Sequence, residues 1–115
     1  MKQLLTITLT MILCYTANAQ TATDSVKAAV NNMCAAMKNA DSTALKGVFS
    51  ESAVLQTISR NKEGATIVRT EVIANFTSSI GKLVKGDADE QITFDAVHVD
   101  GALASVWTPY KFYFK

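Results

Sequence analysis

Asp95 is the candidate for acid–base chemistry and His98 the candidate for metal chemistry. Asp95 lies in an apolar stretch, and a carboxylate enclosed by apolar groups has a raised pKa that suits proton abstraction near neutral pH. A solvent-facing position at a bulge fits Asp95 equally well, and no second acid or oxyanion donor accompanies it. His98 is the sole histidine and has no cluster of other metal ligands around it, so a surface or interface position is favoured.

Cys34 is the third residue with reactive potential. The chain has two cysteines, and the other, Cys14, lies in a segment that we expect to be removed. A lone thiol could react or pair between chains, but the role of a small apolar residue on the packed side of a helix is favoured. The sequence contains no nucleophile elbow, phosphate loop or dinucleotide fingerprint. No motif therefore names a reaction, no metal or cofactor is expected, and the sequence leans away from an enzyme.

The N-terminus has the pattern of a cleavable signal peptide. Lys2 precedes an apolar stretch over residues 4–13, and Ala17-Asn18-Ala19 supplies the small residues that signal peptidase requires. The apolar stretch is shorter than the roughly 20 residues that a membrane-spanning helix needs. We therefore predict cleavage after Ala19 and export of residues 20–115, as one domain, to a periplasm or the medium. Loss of Lys2 leaves equal numbers of basic and acidic residues, so neither nucleic acid nor a membrane surface is an expected partner.

Helical periodicity follows the predicted cleavage site. Thr23 or Asp24 could cap a first helix, and Lys27 should face water. The apolar positions recur at helical spacing and should face a core: Val26, Ala29, Val30, Met33, Cys34 and Met37. Asp41 is a suitable N-cap for a second, short helix, whose buried side would consist of Leu45, Val48 and Phe49.

Strand-like sequence begins near residue 53 and predicts a hairpin. Residues 53–60 and 66–69 are the two strands, and residues 61–64 form a polar turn that ends on a glycine. Thr70 would then cap a third helix, with Glu71 at its positive end. The apolar side of this helix would consist of Val72, Ile73, Phe76, Ile80 and Leu83.

A longer hairpin is predicted at the end of the chain. Residues 90–99 and 102–115 would be its strands, and Asp100-Gly101 would form a type I′ turn that pairs Val99 with Ala102. One face would then carry Thr93, Asp95, Val97, Val99, Ala104, Val106, Thr108, Tyr110, Phe112 and Phe114. Pro109 cannot donate to a ladder and therefore marks an edge or a bulge. The opposite face holds Phe94, Leu103 and Trp107, which would suit a partner subunit and predict a homodimer.

The order of elements and three passages resemble the nuclear transport factor 2-like superfamily. The passages are residues 41–55, from Asp41-Ser42-Thr43-Ala44-Leu45 through Phe49 to Leu55; Arg69-Thr70-Glu71; and residues 99–113, from Val99-Asp100-Gly101 through Trp107 to Tyr113. They are similar to exported bacterial members labelled nuclear transport factor 2 family, lumazine-binding or SnoaL-like proteins. The resemblance covers nearly all of residues 20–115. It implies an α+β fold in which a cone-shaped, curved antiparallel sheet packs against three helices, as in cystatin-like folds. Such domains continue with further strands, so the chain is expected to be incomplete at Lys115.

The resemblance also implies a pocket between the sheet and the helices. Its lining would consist of Phe49, Phe76, Thr93, Thr108, Tyr110 and Phe112, which is a mostly apolar set with few polar groups. A filled core, with Tyr110 bonded to the backbone, fits these residues at least equally well. Three functions follow as hypotheses, and the resemblance favours the first. The first is binding of a small apolar or heterocyclic ligand; the second is proton transfer of the ketosteroid-isomerase or polyketide-cyclase type by Asp95; the third is a non-catalytic dimerising scaffold.

Overall fold

The first stretch of helical periodicity forms helix α1 over residues 21–38 of the computed structural model, which describes residues 21–115. The predicted signal peptide lies outside the described residues. Thr21 is already helical, so the prediction that Thr23 or Asp24 caps this helix is wrong, because both lie inside it. Met37 is buried, and Val26, Val30, Met33 and Cys34 are half-buried, as the apolar stripe predicts, whereas Ala29 is exposed.

A hydrogen-bonded turn ends α1 and leads directly into the second helix. The backbone N–H of Asp41 donates to the Ala36 carbonyl and that of Ala40 to the Met37 carbonyl, each at 3.0 Å. Ala40 takes a positive φ of 52°, so these bonds form a Schellman motif with alanine at the position that glycine usually fills. Helix α2 spans Ser42–Val48. The Asp41 carboxylate accepts a hydrogen bond from the Ala44 N–H at 2.9 Å, which confirms the predicted N-cap.

The first hairpin pairs β1, Val54–Arg60, with β2, Thr66–Val72, in antiparallel register. At its turn, the Asn61 side-chain oxygen accepts the Ala65 N–H at 2.8 Å, and Gly64 has a φ of 82°. The prediction that Thr70 caps a helix is wrong. Thr70 lies opposite Gln56 in the ladder, and the Gln56 side chain donates to its hydroxyl at 3.4 Å. Cross-strand pairing therefore extends β2 past the expected cap.

Helix α3 spans Ile73–Gly81 and begins without a side-chain cap. Its N-cap residue is Val72, which is 56% exposed and does not belong to the helix's buried side as predicted. Glu71 is part of β2, opposite Leu55, and does not stand at the helix terminus. Ile73 and Ile80 are buried, and Phe76 and Leu83 are half-buried, which agrees with the predicted apolar side.

The predicted long hairpin is present in interrupted form. Its strands are β3, Ala88–Ile92; β4, Ala96–Asp100; β5, Leu103–Trp107; and β6, Tyr110–Phe114. Residues 90–99 are therefore not one strand. The interruption around Pro109 agrees with the prediction of a bulge or edge there. Across the two breaks, the Thr93 N–H donates to the Pro109 carbonyl and the Asp95 N–H to the Trp107 carbonyl, each at 3.0 Å.

The register of β4 and β5 differs from the predicted one by two residues. Val99 lies opposite Ala104 and Asp100 opposite Leu103, so Gly101 and Ala102 form the turn. Gly101 alone of the two has a positive φ, 56°. That pattern is typical of a type II′ turn and not of the predicted type I′. A shift of two residues preserves the side-chain alternation, so Val97, Val99, Ala104 and Val106 share a face as predicted.

Residues 21–115 form an α+β structure, as predicted, with three helices and small sheets. The described strands form three two-stranded sheets, β1–β2, β3–β6 and β4–β5. The residues fall into two compact units. The hairpin unit comprises residues 21–31 and Ile92–Tyr110, and the core unit comprises Asn32–Gln91 and Lys111–Lys115.

The core unit contains a small apolar core centred on Leu45, whose exposure is 0%. Leu45 packs with Ala36, Met37, Ile80 and Ala88, and half-buried side chains surround this cluster: Met33, Phe49, Phe76 and Leu83. Contacts from α1, α2, α3 and β3 therefore converge on one leucine of a seven-residue helix.

Candidate functional site

The most exposed apolar surface of the hairpin unit lies on one face of the β4–β5 hairpin. Leu103 is 72% exposed and Trp107 is 68% exposed, and both project from β5. Side chains in a strand alternate between the two faces, and the register places Ser105, His98 and Ala96 on the same face. We name this set, Ala96, His98, Asp100, Leu103, Ser105 and Trp107, the Trp107 face.

The opposite face of this hairpin is better covered. Val97 and Val106 are half-buried, and Val99 is 36% exposed. The hairpin thus has one partly protected face and one that exposes a tryptophan and a leucine.

Phe94, the third predicted interface residue, lies in the break between β3 and β4 and not in a strand. It is half-buried, and the Lys27 ammonium lies 5.6 Å from its ring centroid. Lys27 therefore does not simply face water, as predicted, but covers an aromatic ring. Such contacts contribute about 0.5–1 kcal/mol at exposed sites. Two of the three predicted interface residues, Leu103 and Trp107, share the Trp107 face.

The residues of the predicted ligand pocket are distributed over both units. In the core unit, Phe49 and Phe76 contact each other edge to face, with ring centroids 6.3 Å apart and planes at 80°. Phe112, also in the core unit, is 47% exposed and stacks on Phe114 at 6.5 Å. The remaining three belong to the hairpin unit: Thr93, Thr108 and Tyr110.

Two of these three hairpin-unit residues, Tyr110 and Thr93, are exposed. Tyr110 is 66% exposed, and Thr93 is exposed at the first strand break. Thr108 is half-buried at the second break. Within the described residues of a single unit, the structure brings together Phe49 and Phe76 from the predicted set.

Asp95 is exposed, next to β4. Its backbone N–H donates to the Trp107 carbonyl across the strand break. Its carboxylate makes no hydrogen bond or ion pair with the described residues. The proton-transfer hypothesis requires an apolar enclosure around this carboxylate. The exposure of Asp95 gives that hypothesis no support.

An open depression of about 480 Å³ lies on the core unit along α1 and α2. Its walls are mostly small and polar residues: Asn32, Ala35, Ala36, Asn39, Asp41, Ala44, Gly47 and Val48. The Asp41 carboxylate, the charged group in this wall, already caps α2. No residue of the predicted pocket lines this depression.

The core unit contains a thiol–carboxylate pair, Cys34 and Glu90, that no spacing in the sequence predicts. Burial raises the pKa of Cys34, and the neighbouring charge of Glu90 raises it further. Burial also raises the pKa of Glu90. A thiol with a raised pKa is a poor nucleophile at neutral pH. The environment of Cys34 therefore agrees with a packing role on α1 better than with a reactive one.

One ion pair joins the same helix and strand. The Lys38 ammonium lies 3.3 Å from a carboxylate oxygen of Asp89, whose side chain is 18% exposed. In addition, the Gly86 N–H donates to the Lys38 carbonyl at 2.7 Å. These contacts fix the start of β3 against the end of α1. The Asp89 carboxylate therefore has a structural role in this ion pair.

Residues 21–115 contain neither a metal-binding cluster nor a membrane-spanning helix. No group of three or more histidine, cysteine or acidic side chains within this range is arranged to hold a metal ion. None of the helices described has the length and apolar character required to cross a bilayer.

Comparison of the chain with family models, with curated proteins and with solved structures found no match. The resemblance to the nuclear transport factor 2-like superfamily therefore remains a prediction from the sequence, and the geometry of the Trp107 face is the firmest basis for a functional proposal.

Proposed function

We propose that this chain is a self-associating module that forms a homodimer through the Trp107 face. The observation that carries the proposal is the exposure of Leu103 and Trp107, at 72% and 68%, on one face of a two-stranded sheet. Tryptophan is enriched in the energetically dominant positions of protein interfaces. This proposal corresponds to the dimerising-scaffold hypothesis, and it makes the hairpin an assembly surface.

The size of the exposed apolar area supports an association of modest strength. A tryptophan can bury about 150–250 Å², so the exposed part of Trp107 amounts to about 100–170 Å². At about 25 cal/mol per Å², covering it contributes about 3–4 kcal/mol in each copy. With a further ~1–2 kcal/mol from each Leu103, the gross gain is about 8–12 kcal/mol. The cost of association lies in a similar range, about 4–15 kcal/mol, so polar complementarity decides the net affinity.

The architecture of the hairpin gives a second reason for association. A two-stranded sheet is marginally stable alone in water and gains stability from a third strand or a covering layer. In the hairpin unit, β4 and β5 pair only with each other among the described strands. A second copy that associates with this hairpin would supply a further strand or a covering layer.

Sedimentation over a range of concentrations tests the proposal. We expect the wild-type protein to dimerise, and we expect Leu103→Ser and Trp107→Ser each to raise the Kd at least about tenfold, a change of 1.4 kcal/mol. Ile58→Ser is the matched control, because Ile58 is also 72% exposed but lies on β1, in the core unit. A wild-type protein that stays monomeric at all concentrations would contradict the proposal, as would equal effects of Leu103→Ser and Ile58→Ser.

The other hypotheses stay predictions from the resemblance. Binding of a small apolar or heterocyclic ligand in a cone-shaped domain rests on the implied pocket, and export rests on the predicted signal peptide. A panel of heterocycles and steroids tests the first: a saturable increase in Tm would support it. Loss of that increase in Phe76→Ala would assign the ligand to the Phe49–Phe76 pair.

A further inference from the structure

We infer that the second copy adds to the free edge of β5, in antiparallel orientation about a two-fold axis at Ser105, to form a continuous four-stranded sheet. The inference rests on the proposed self-association and specifies its geometry. It contrasts with a dimer in which two sheets stack face to face.

Two residues of β5 direct their backbone N–H and carbonyl groups toward the free edge of the strand. The pair that flanks a two-residue hairpin turn exchanges hydrogen bonds, and the pattern then alternates along an antiparallel ladder. Leu103 is in such a pair with Asp100, so Leu103, Ser105 and Trp107 direct their backbone groups toward β4. The bond from the Asp95 N–H to the Trp107 carbonyl agrees with this assignment. Ala104 and Val106 therefore direct their N–H and carbonyl groups to the other side, where no described strand pairs with β5.

The order of residues in β5 is complementary to itself about Ser105. In antiparallel pairing about this residue, Ala104 of each copy lies opposite Val106 of the other. These are the residues with free backbone groups, and the two pairs exchange four hydrogen bonds. Leu103 of each copy then lies opposite Trp107 of the other on the same face. Residues in such a non-hydrogen-bonded pair have Cα atoms about 4.5 Å apart, and their side chains make close contact.

Other registers use the strand less well. With the axis at Ala104, Trp107 would lie opposite Gly101, which offers no side chain, and the two exposed apolar residues would not meet. With the axis at Val106, Leu103 would lie opposite Pro109, beyond the end of β5. The Ser105 axis is the register that pairs both the free backbone groups and the exposed side chains.

The edge also lacks the features that prevent pairing. Natural edge strands carry lysine or other charges, proline or bulges that block addition of a further strand. The sequence of β5 is Leu-Ala-Ser-Val-Trp, with no charge and no proline. Four of its five residues are exposed. A two-fold axis consumes both free β5 edges, so the association closes at two copies.

Disulfide trapping tests the geometry directly. In a protein with Cys14→Ala and Cys34→Ala, Ser105→Cys should form a disulfide-linked dimer under mild oxidation, because the Cα separation of about 4.5 Å falls within the range that disulfides accept. Sheets stacked face to face lie about 10 Å apart, which is too far for this bond. His98→Cys in the same background is the matched control. His98 lies on the same face but on β4, about three strand spacings from its copy, so it should not cross-link.

A backbone substitution provides an independent measurement. Val106→Pro removes an N–H that points to the free edge, a position where a monomeric edge strand tolerates proline. It should raise the Kd of the dimer at least about tenfold, because two hydrogen bonds are lost across the symmetric interface. Val106→Ile keeps the N–H and the β-branched apolar side chain, so it should change the Kd less than about threefold.

The outcomes separate this inference from the proposal on which it rests. A dimer that cross-links through Ser105→Cys and is weakened by Val106→Pro supports both. A dimer that needs Trp107 but shows neither effect overturns the edge pairing and leaves the homodimer. A wild-type monomer overturns both.

Discussion

Replacement of Leu45 by alanine should be among the most damaging single changes in the core unit. Leu45 is fully buried, and two of its neighbours, Ala36 and Ala88, are too small to fill the space. Loss of three carbon atoms removes about 2.4 kcal/mol of transfer free energy, at about 0.8 kcal/mol each. An unfilled cavity adds to this, and buried Leu→Ala changes cost about 2–5 kcal/mol. We expect the free energy of unfolding to fall by about 3 kcal/mol.

Urea unfolding followed by circular dichroism measures this change, and a thermal scan should show a Tm lower by about 12–24 °C, at 4–8 °C per kcal/mol. The control is Val84→Ala, because Val84 is 71% exposed; its effect should stay within about 0.5 kcal/mol. If Leu45→Ala costs less than about 1 kcal/mol, or no more than the control, the convergence of four elements on Leu45 is not the basis of stability.

Two further predictions follow from the same unit. A Cβ at Gly81 would lie 2.8 Å from the Cβ of Ser42, whereas a Cβ at Gly47 meets nothing within 4 Å. In urea unfolding, Gly81→Ala should therefore destabilise the protein by about 1–2 kcal/mol, and Gly47→Ala should stabilise it by about 0.5–1 kcal/mol. The reverse order of stabilities would contradict the packing of α2 on α3. Burial raises the pKa of Glu90 from 4.5, so the folded protein binds more protons than the unfolded chain above that pH, and stability falls as the pH rises. Glu90→Gln should therefore match the wild type below pH 4.5 and exceed it by a growing margin toward pH 7, in urea titrations at each pH; a margin independent of pH would exclude this role for the carboxyl group.

Local signals in the sequence predicted local structure well. The Asp41 cap and the turn at residues 61–64 each depend on residues within four positions of one another, and both are present. Thr70 shows where such reasoning ends. Its hydroxyl could cap a helix, but the pairing of Thr70 with Gln56, 14 residues away, extends the strand instead. The choice between these conformations depends on a tertiary contact that no window around Thr70 contains.

The site was predicted in part for the same reason. Leu103 and Trp107 are four positions apart on one strand, so alternation alone places them on a common face. The Cys34–Glu90 pair joins a helix to a strand more than fifty residues away, and no spacing in the sequence brings them together. Strict alternation through residues 93–95 predicts that Phe94 shares a face with Trp107, but the strand breaks at these residues.

The Trp107 face could be predicted although the predicted register is wrong, because the register error is an even number of residues. Moving the turn from Asp100-Gly101 to Gly101-Ala102 shifts the return strand by two positions against β4. Because side chains in a strand repeat with a period of two, an even shift changes every partner but moves no side chain to the other face. The direction of the backbone groups does change: with the predicted turn Ala104 and Val106 would bond to β4, whereas with the observed turn Leu103, Ser105 and Trp107 do. Self-pairing about Ser105 therefore follows from the order of residues within β5 and from which residues bond to β4. The predicted register would have left the backbone groups of Leu103, Ser105 and Trp107 at the free edge instead.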